Sequence, residues 1–304
     1  MRASNYRAVG IAAIAPTAWG TTYLVTTELL PPSRPFLAAA LRALPAGLLL
    51  LGVTRVLPRG RWWAKAAILG MLNIGAFFAL LFTAAYRLPG GLAATLGAFS
   101  PLVVLLLSWP LMGIRPSVRA LSAGAAGVGG VALMVLRPDA ALDGVGVGAA
   151  LAGALLFATG TTLTKRWGRP VPLLAFTAWQ LVAGGLFLLP LALLVEGAPP
   201  SLSAVNIAGY VYLTLVSTAL AYSLWFGAFD RLPAATVSFI SLLSPVVATG
   251  LGYAVGQRLS AGQLIGAAVV LAAVTVGQHT AQRDAARQAA VAVSQAAQPA
   301  ASPA

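Results

Sequence analysis

Along the chain, apolar runs long enough to cross a bilayer alternate with short polar, proline-bearing or basic punctuation. A helix spanning about 30 Å of hydrocarbon needs roughly 20 apolar residues. Such runs fall near 8–28, 34–56, 63–86, 91–112, 117–136, 145–166, 172–195, 204–228, 234–255 and 261–280. The pattern predicts an all-α integral membrane protein with ten transmembrane helices. The opening run continues through Tyr23, Leu24 and Val25 to about Glu28, which reads as an uncleaved first span rather than a signal peptide. Beyond Thr280 the residues are small and polar, so 281–304 is expected to be a disordered cytoplasmic tail, with a short surface helix as the alternative.

The punctuation itself repeats. A frame opening on Arg87-Leu88-Pro89 and closing on Ser100-Pro101 recurs 144 residues later as Arg231-Leu232-Pro233 to Ser244-Pro245. The two frames begin spans four and nine, each the fourth in a group of five. Because five is odd, the second group must run through the membrane in the opposite sense. Gly20-Thr21-Thr22 in span one is echoed by Gly160-Thr161-Thr162 in span six, and residues 45–51 are loosely matched by 182–188. The expected organisation is an N-terminal five-helix repeat, 8–136, and an inverted C-terminal repeat, 145–280, around a central cavity. Inverted repeats are characteristic of transporters, in which one half rocks against the other about a midplane site. An ancient duplication with only a structural outcome is the alternative.

Composition agrees: 59% of the residues are hydrophobic and 8% charged, too apolar a balance for a soluble core. The net charge of +13 does not point to nucleic acid, because the basic residues sit in short clusters between apolar runs. They set orientation instead. The termini and the loops after even-numbered spans hold fourteen Lys and Arg, the opposite loops four, and Arg42 lies within span two. Both termini are therefore expected in the cytoplasm. Trp62, Trp63, Trp109, Trp167 and Trp225 then fall near the inner interface, where an indole's apolar ring and polar N–H are both accommodated.

These residues resemble the EamA-type transporters of the drug/metabolite transporter superfamily, and within it the YddG-type exporters of aromatic amino acids. The resemblance spans about 8–280 and rests on residues 19–51 ("WGTTYLVTTELLPPSRPFLAAALRALPAGLLLL"), the frame in both halves, and 256–274 ("GQRLSAGQLIGAAVVLAAV"). It implies two inverted five-helix halves and export of small metabolites across a bacterial inner membrane. The chain departs from the family pattern where acidic residues are frequent: those places read Ser244, Ile114 and Gln257. All six acidic residues, Glu28, Asp139, Asp143, Glu196, Asp230 and Asp284, fall in loops, near span ends or in the tail. Buried carboxylates are the usual proton relays and cation counter-ions. Their absence from mid-span weighs against proton antiport and against selection of cationic drugs, and makes facilitated diffusion a serious reading.

At about 1.5 Å per residue, Trp19, Ser100 and Ser244 lie near mid-membrane. Pro101 and Pro245 cannot donate to the fourth preceding carbonyl, so Gly97 and Ser241 should carry freed oxygens, best kept in protein-lined or wet surroundings. Those oxygens, with the hydroxyls of Ser100, Ser241 and Ser244, could accept hydrogen bonds from an amino group; the alternative is that the prolines only kink or gate their helices. Trp19, Phe77, Phe78, Trp179 and Tyr222 are candidate walls for an apolar or π-bearing substrate. Asn73 and Gln180 could bond a carboxylate or amide. Helix packing and interhelical hydrogen bonding are the structural alternatives for all seven. Arg42 could attract a substrate carboxylate, or snorkel outward, or bond to helix carbonyls.

With no Cys, one His (His279) and no paired mid-span carboxylates, neither an embedded enzyme nor a metal or cofactor site is expected. The expected partners are a small amphipathic metabolite, foremost an aromatic or hydrophobic amino acid, and membrane lipid; the chain is expected to be a monomer. Broad-specificity drug efflux and a passive channel are the competing functions.

Overall fold

The structure, a computed structural model, describes residues 3–113, 117–135, 143–224 and 243–296, and the regular structure among these is helical. The helices are α1 (Ala3–Leu29), α2 (Pro35–Thr54), α3 (Trp62–Arg87), α4 (Gly90–Gly97), α5 (Ser100–Met112) and α6 (Val118–Val135). Then come α7 (Gly144–Trp167), α8 (Leu173–Val195), α9 (Ala204–Leu224), α10 (Leu243–Ala254) and α11 (Ala261–Ala296). Of these, α2, α3, α7, α8 and α9 are long and apolar enough to cross a bilayer. Trp225, the second Arg-Leu-Pro at 231–233, and Ser241 lie outside the described residues.

The punctuation acts as expected at the helix ends. Pro35 opens α2, where a missing N–H has no intrahelical partner to lose. Asp143 caps α7 by accepting from the Val145 and Gly146 amides at 2.9 and 3.0 Å. Ser203 and Asn206 form a reciprocal capping box on α9.

Three features differ from the expected spans. The fourth is broken: α4 ends at Gly97 and α5 starts at Ser100, so Pro101 sits in the first turn of a new helix rather than kinking a continuous one. The expected third and eighth spans each contain a π-helical segment, Met71–Gly75 within α3 and Tyr212–Leu220 within α9. The last helix also runs on to Ala296, where the sequence suggests a disordered tail from 281. Ala, Gln and Arg are strong helix formers, and neither Gly nor Pro interrupts the stretch from Gln278 to Ala296.

Helix packing repeats in the same manner as the sequence. α2 packs along α8 and α6 along α11. α1 packs on α10 as α7 packs on α4 and α5, and α2 meets the π segment of α9 as α8 meets that of α3. Each of these pairings maps onto its partner when the two halves are exchanged. The α2–α8 contact is close because both faces are small. A Cβ on Gly47 would lie 2.7 Å from the Val182 amide nitrogen, and one on Gly185 2.7 Å from the Leu44 Cβ. In lipid, such contact supplies the packing that the hydrophobic effect supplies in water.

Candidate functional site

The two π segments mark the two places where the third helical stretch of one half meets the first two of the other. Widening a helix from i→i+4 to i→i+5 bonding shifts its carbonyls and hydroxyls, and such turns recur at functional sites. In α9 the shift shows directly: the Thr218 hydroxyl donates to the Leu213 carbonyl, five residues back, at 2.8 Å.

Around this segment the sequence assembles a polar cluster inside apolar helices. Pro45 cannot donate to the Leu41 carbonyl, and the Thr214 hydroxyl of α9 donates to it instead at 2.9 Å. One residue along, Arg42 is 3% exposed. Its Nε donates to Thr218 Oγ1 at 2.9 Å and its Nη2 to the Ser217 carbonyl at 3.3 Å. The guanidinium carbon lies 4.7 Å from the Phe78 ring centre and 5.9 Å from that of Phe82. Trp19 Nε1 donates to the same Ser217 carbonyl at 3.0 Å, and its ring lies 5.5 Å from that of Tyr222. The Ser217 hydroxyl donates to the Ala18 carbonyl at 3.0 Å, and Thr21 Oγ1 and the Tyr212 hydroxyl lie 2.7 Å apart.

The opposite junction is uncharged. Asn73, on the π segment of α3, donates from Nδ2 to Gln180 Oε1 at 2.7 Å, with Thr164 Oγ1 at 3.5 Å. Gln180 in turn donates to the Phe176 carbonyl at 3.4 Å. Asn73 Oδ1 is buried and has no hydrogen-bond partner among the described residues. Gly160 makes room for it, since a Cβ there would stand 2.1 Å from that oxygen. Phe77, one turn beyond Asn73, stacks on Phe157 at 4.9 Å and adjoins Phe78 at 5.7 Å.

Of the residues singled out from sequence, the structure thus brings Trp19 to Tyr222, Phe77 to Phe78, and Asn73 to Gln180. Ser244 lies against α1, its carbonyl oxygen 2.6 Å from a Cβ built on Gly20. Gly97 and Ser100 flank the α4–α5 break, and Ser100 is buried. Pro245 is buried in the first turn of α10. Trp179 stands apart, packed on Phe176, with its N–H donated to the Val56 carbonyl at 2.6 Å. It belongs to an apolar cluster that includes Trp62 and Trp167, whose rings flank Lys65 at 4.6 and 5.4 Å.

Hydrogen bonds and one ion pair tie down the helix ends around these junctions. Glu196, at the end of α8, accepts from the Phe36 and Leu37 amides of α2 at 2.7 and 2.9 Å, and Arg34 donates back to its carbonyl. A carboxylate at a helix N-terminus satisfies orphan N–H groups and opposes the dipole. Gln257 Oε1 accepts from the Gly90 amide at 2.9 Å, capping α4 from the other half. Arg87 pairs with Asp143 at 2.6 Å. That hydrogen bond, helped by the Gly146 amide, holds the Asp143 carboxyl below its ordinary range.

The sequence points to neither of the π segments, and it does not place Ser217 and Thr218 at Arg42 or Thr21 at Tyr212. The legible signals are hydroxyls at 214, 217 and 218 in an otherwise apolar run, and Pro45 four residues after Leu41.

Comparison with known proteins follows the same division into halves. The EamA-like transporter family matches twice, over residues 7–136 and 144–276. Protein PecM of Dickeya dadantii (strain 3937) is 42% identical over 267 residues, covering 87% of this chain and 90% of the relative. The inner membrane transporter YedA of Escherichia coli (strain K12) is 30% identical, covering 85% and 86%. A probable terminal-alkyne amino-acid exporter of Streptantibioticus cattleyicolor is 29% identical, covering 80% of each. One solved crystal structure shares the fold, with a TM-score of 0.62 at 22% identity over 93% of this chain and 99% of the other. With both halves matched and PecM so similar over most of its length, the chain belongs to the EamA-like transporter family and is a multi-pass membrane transporter rather than an enzyme.

Proposed function

We propose that this transporter exports small, neutral, amphipathic metabolites, foremost aromatic or hydrophobic amino acids, across a bacterial cytoplasmic membrane as a facilitator without proton coupling. The observation that carries the reading is the chemistry at the junctions between the halves. Aromatic faces at Trp19, Tyr222, Phe77 and Phe78 adjoin hydroxyls, carbonyls and an unpartnered amide oxygen, while the chain places no carboxylate in mid-span. Such a set of groups suits a ring or alkyl group together with a hydrogen-bonding head. Because the Asn73 amide group is already engaged with Gln180, its Oδ1 is an acceptor and suits an ammonium rather than a carboxylate. Gly97, Ser100, Ser241 and Ser244 would supply further acceptors at the broken fourth helix and its counterpart. The amino-acid exporter among the relatives supports the substrate class.

In this reading the halves are inverted five-helix repeats, 8–136 and 145–280, both termini are cytoplasmic, and the monomer works by alternating access. The frame repeat and the paired packing of α1 on α10 and α7 on α4 support ten spans with an inverted second half. The test is uptake of labelled phenylalanine and tryptophan into proteoliposomes of the full chain, with and without a pH gradient. Saturable uptake indifferent to the gradient is expected. Uptake driven by the gradient would refute the facilitator, and uptake no greater than in empty liposomes would refute the aromatic amino-acid assignment.

A further inference from the structure

Arg42 is the one basic residue in the interior of an expected span, and its surroundings are built for a charge that they do not neutralise. The guanidinium lies roughly 10 Å along α2 from its N-terminus, by the rise per residue. It does not snorkel: Thr218, Ser217 and the Phe78 ring, from α9 and α3, hold it sideways between helices. Arginine stays protonated in proteins. Among the described residues its neighbours are formally neutral: a hydroxyl, a carbonyl, two aromatic faces and the phenols of Tyr222, Tyr23 and Tyr212.

No counter-ion is supplied by the described residues, among which the ion pair is Arg87 with Asp143. Glu196 is engaged with the first turn of α2, and Glu28 stands at the exposed C-terminal end of α1, where it accepts from the Thr27 hydroxyl. An ion buried in a membrane protein without a partner is costly and rarely kept without a use. The hydrogen-bond count is incomplete as well. Nε and Nη2 each have an acceptor, whereas Nη1 has none among the described residues. The fork geometry of a guanidinium matches a carboxylate. Arg42 also shares the Ser217 carbonyl with the Trp19 indole, so the charge adjoins the aromatic pair Trp19–Tyr222.

We infer that Arg42 is the anchor for the carboxylate of the transported molecule, with the apolar part lying on the neighbouring aromatic rings. The inference rests on the amphipathic-substrate reading above and deepens it, because it restricts the cargo to molecules with a free carboxylate. It also gives the two junctions different tasks: the α9 side receives the anion, and the neutral Asn73–Gln180 side does not. The neutral bonds to Thr218 and Ser217 hold the guanidinium in place while leaving its charge uncompensated for the substrate to meet.

The experiment compares wild type, Arg42→Gln and Arg42→Lys, each reconstituted as the full chain. Phenylalanine uptake is measured in competition with phenylalaninamide, and thermal protection of the detergent-purified protein is measured with phenylacetate against phenylacetamide. In wild type each acid should outperform its amide by about tenfold or more. Arg42→Gln should raise KM for phenylalanine at least tenfold with a smaller change in kcat, and should erase the acid–amide difference. Arg42→Lys should recover part of that difference. A purely structural arginine would lower kcat or yield and leave the acid–amide ratio unchanged, which would overturn the inference. If Arg42→Gln does not fold, the wild-type ratio and Arg42→Lys decide, and equal effects of acid and amide on wild type reject the anchor. The two proposals can fail separately. Phenylalanine transport without acid–amide discrimination would sink only the anchor. Phenylacetate protection that depends on Arg42, without phenylalanine transport, would sink only the amino-acid assignment.

Discussion

Replacing Gly160 with Ala should disturb the Asn73 junction, and the size of the effect can be worked out. The new Cβ would lie 2.1 Å from Asn73 Oδ1, 2.7 Å from its Cγ and 3.0 Å from the Leu72 Cβ. Non-bonded heavy atoms settle near 3.5–4.0 Å, so the Asn73 side chain must move by more than about 1 Å, enough to break its 2.7 Å bond to Gln180. Overpacking of a tight site costs about 1–3 kcal/mol, and a lost interhelical hydrogen bond in a membrane protein about 0.6 kcal/mol, at most near 1.7. Set against the roughly 1 kcal/mol by which Ala favours a helix interior over Gly, Gly160→Ala should therefore destabilise by about 1–3 kcal/mol, read by denaturant titration in mixed micelles. Asn73→Ala removes the colliding atoms, so the double variant should be more stable than the sum of the single changes predicts, with a coupling of about 1–3 kcal/mol. Strict additivity, or a Gly160→Ala protein as stable as wild type, would refute the steric argument.

Three further outcomes follow from the same geometry. Thr214→Val leaves the Leu41 carbonyl unpaired and should cost about 0.6–1.7 kcal/mol; in a Pro45→Ala background, where the regained backbone N–H can donate to that carbonyl, the same change should be nearly neutral. Trp19→Phe keeps a ring beside Tyr222 but deletes the donation to Ser217, and should reduce stability by about 0.5–1.5 kcal/mol and slow uptake, which parallel micelle and proteoliposome measurements would read. Asp143 has a folded-state pKa below its unfolded value, so its contribution is present above the unfolded pKa and lost as pH falls through the folded one. Wild type should thus exceed Asp143→Asn in thermal stability at neutral pH and lose that advantage only in acid, below the ordinary aspartate range.

How far the sequence determines such a chain differs between scaffold and site. The five helices long enough to cross a bilayer fall on expected spans, because hydrocarbon thickness fixes the length of an apolar run; Pro35, Asp143 and Ser203 begin three of them by local chemistry. The repeat was legible from Ser100-Pro101 and Ser244-Pro245, since proline constrains the backbone wherever it stands. The break at residues 98–99 was only half legible: Pro101 forecasts a lost hydrogen bond, not a new helix start. The π segments were hidden, as no residue type demands them; the one in α9 carries Thr214, Ser217 and Thr218, which bond to groups on other helices. Arg42 was visible as an anomaly, yet its fate depended on α9, some 170 residues away, whose Thr218 hydroxyl and Ser217 carbonyl supply the acceptors that keep it buried. Trp19 and Trp179 were both candidate walls; only packing separates the one beside Ser217 and Tyr222 from the one bonded to Val56.

A carrier that moves a zwitterionic aromatic or hydrophobic amino acid between two alternating halves differs from a pore in one observable, counterflow. Proteoliposomes of the full chain are preloaded with unlabelled phenylalanine, diluted into a trace of labelled phenylalanine at equal pH, and followed over time. Alternating access predicts a transient accumulation of label above its equilibrium level, absent from liposomes without preload. Label that only rises monotonically to equilibrium, at a rate unaffected by preloading, would contradict the carrier.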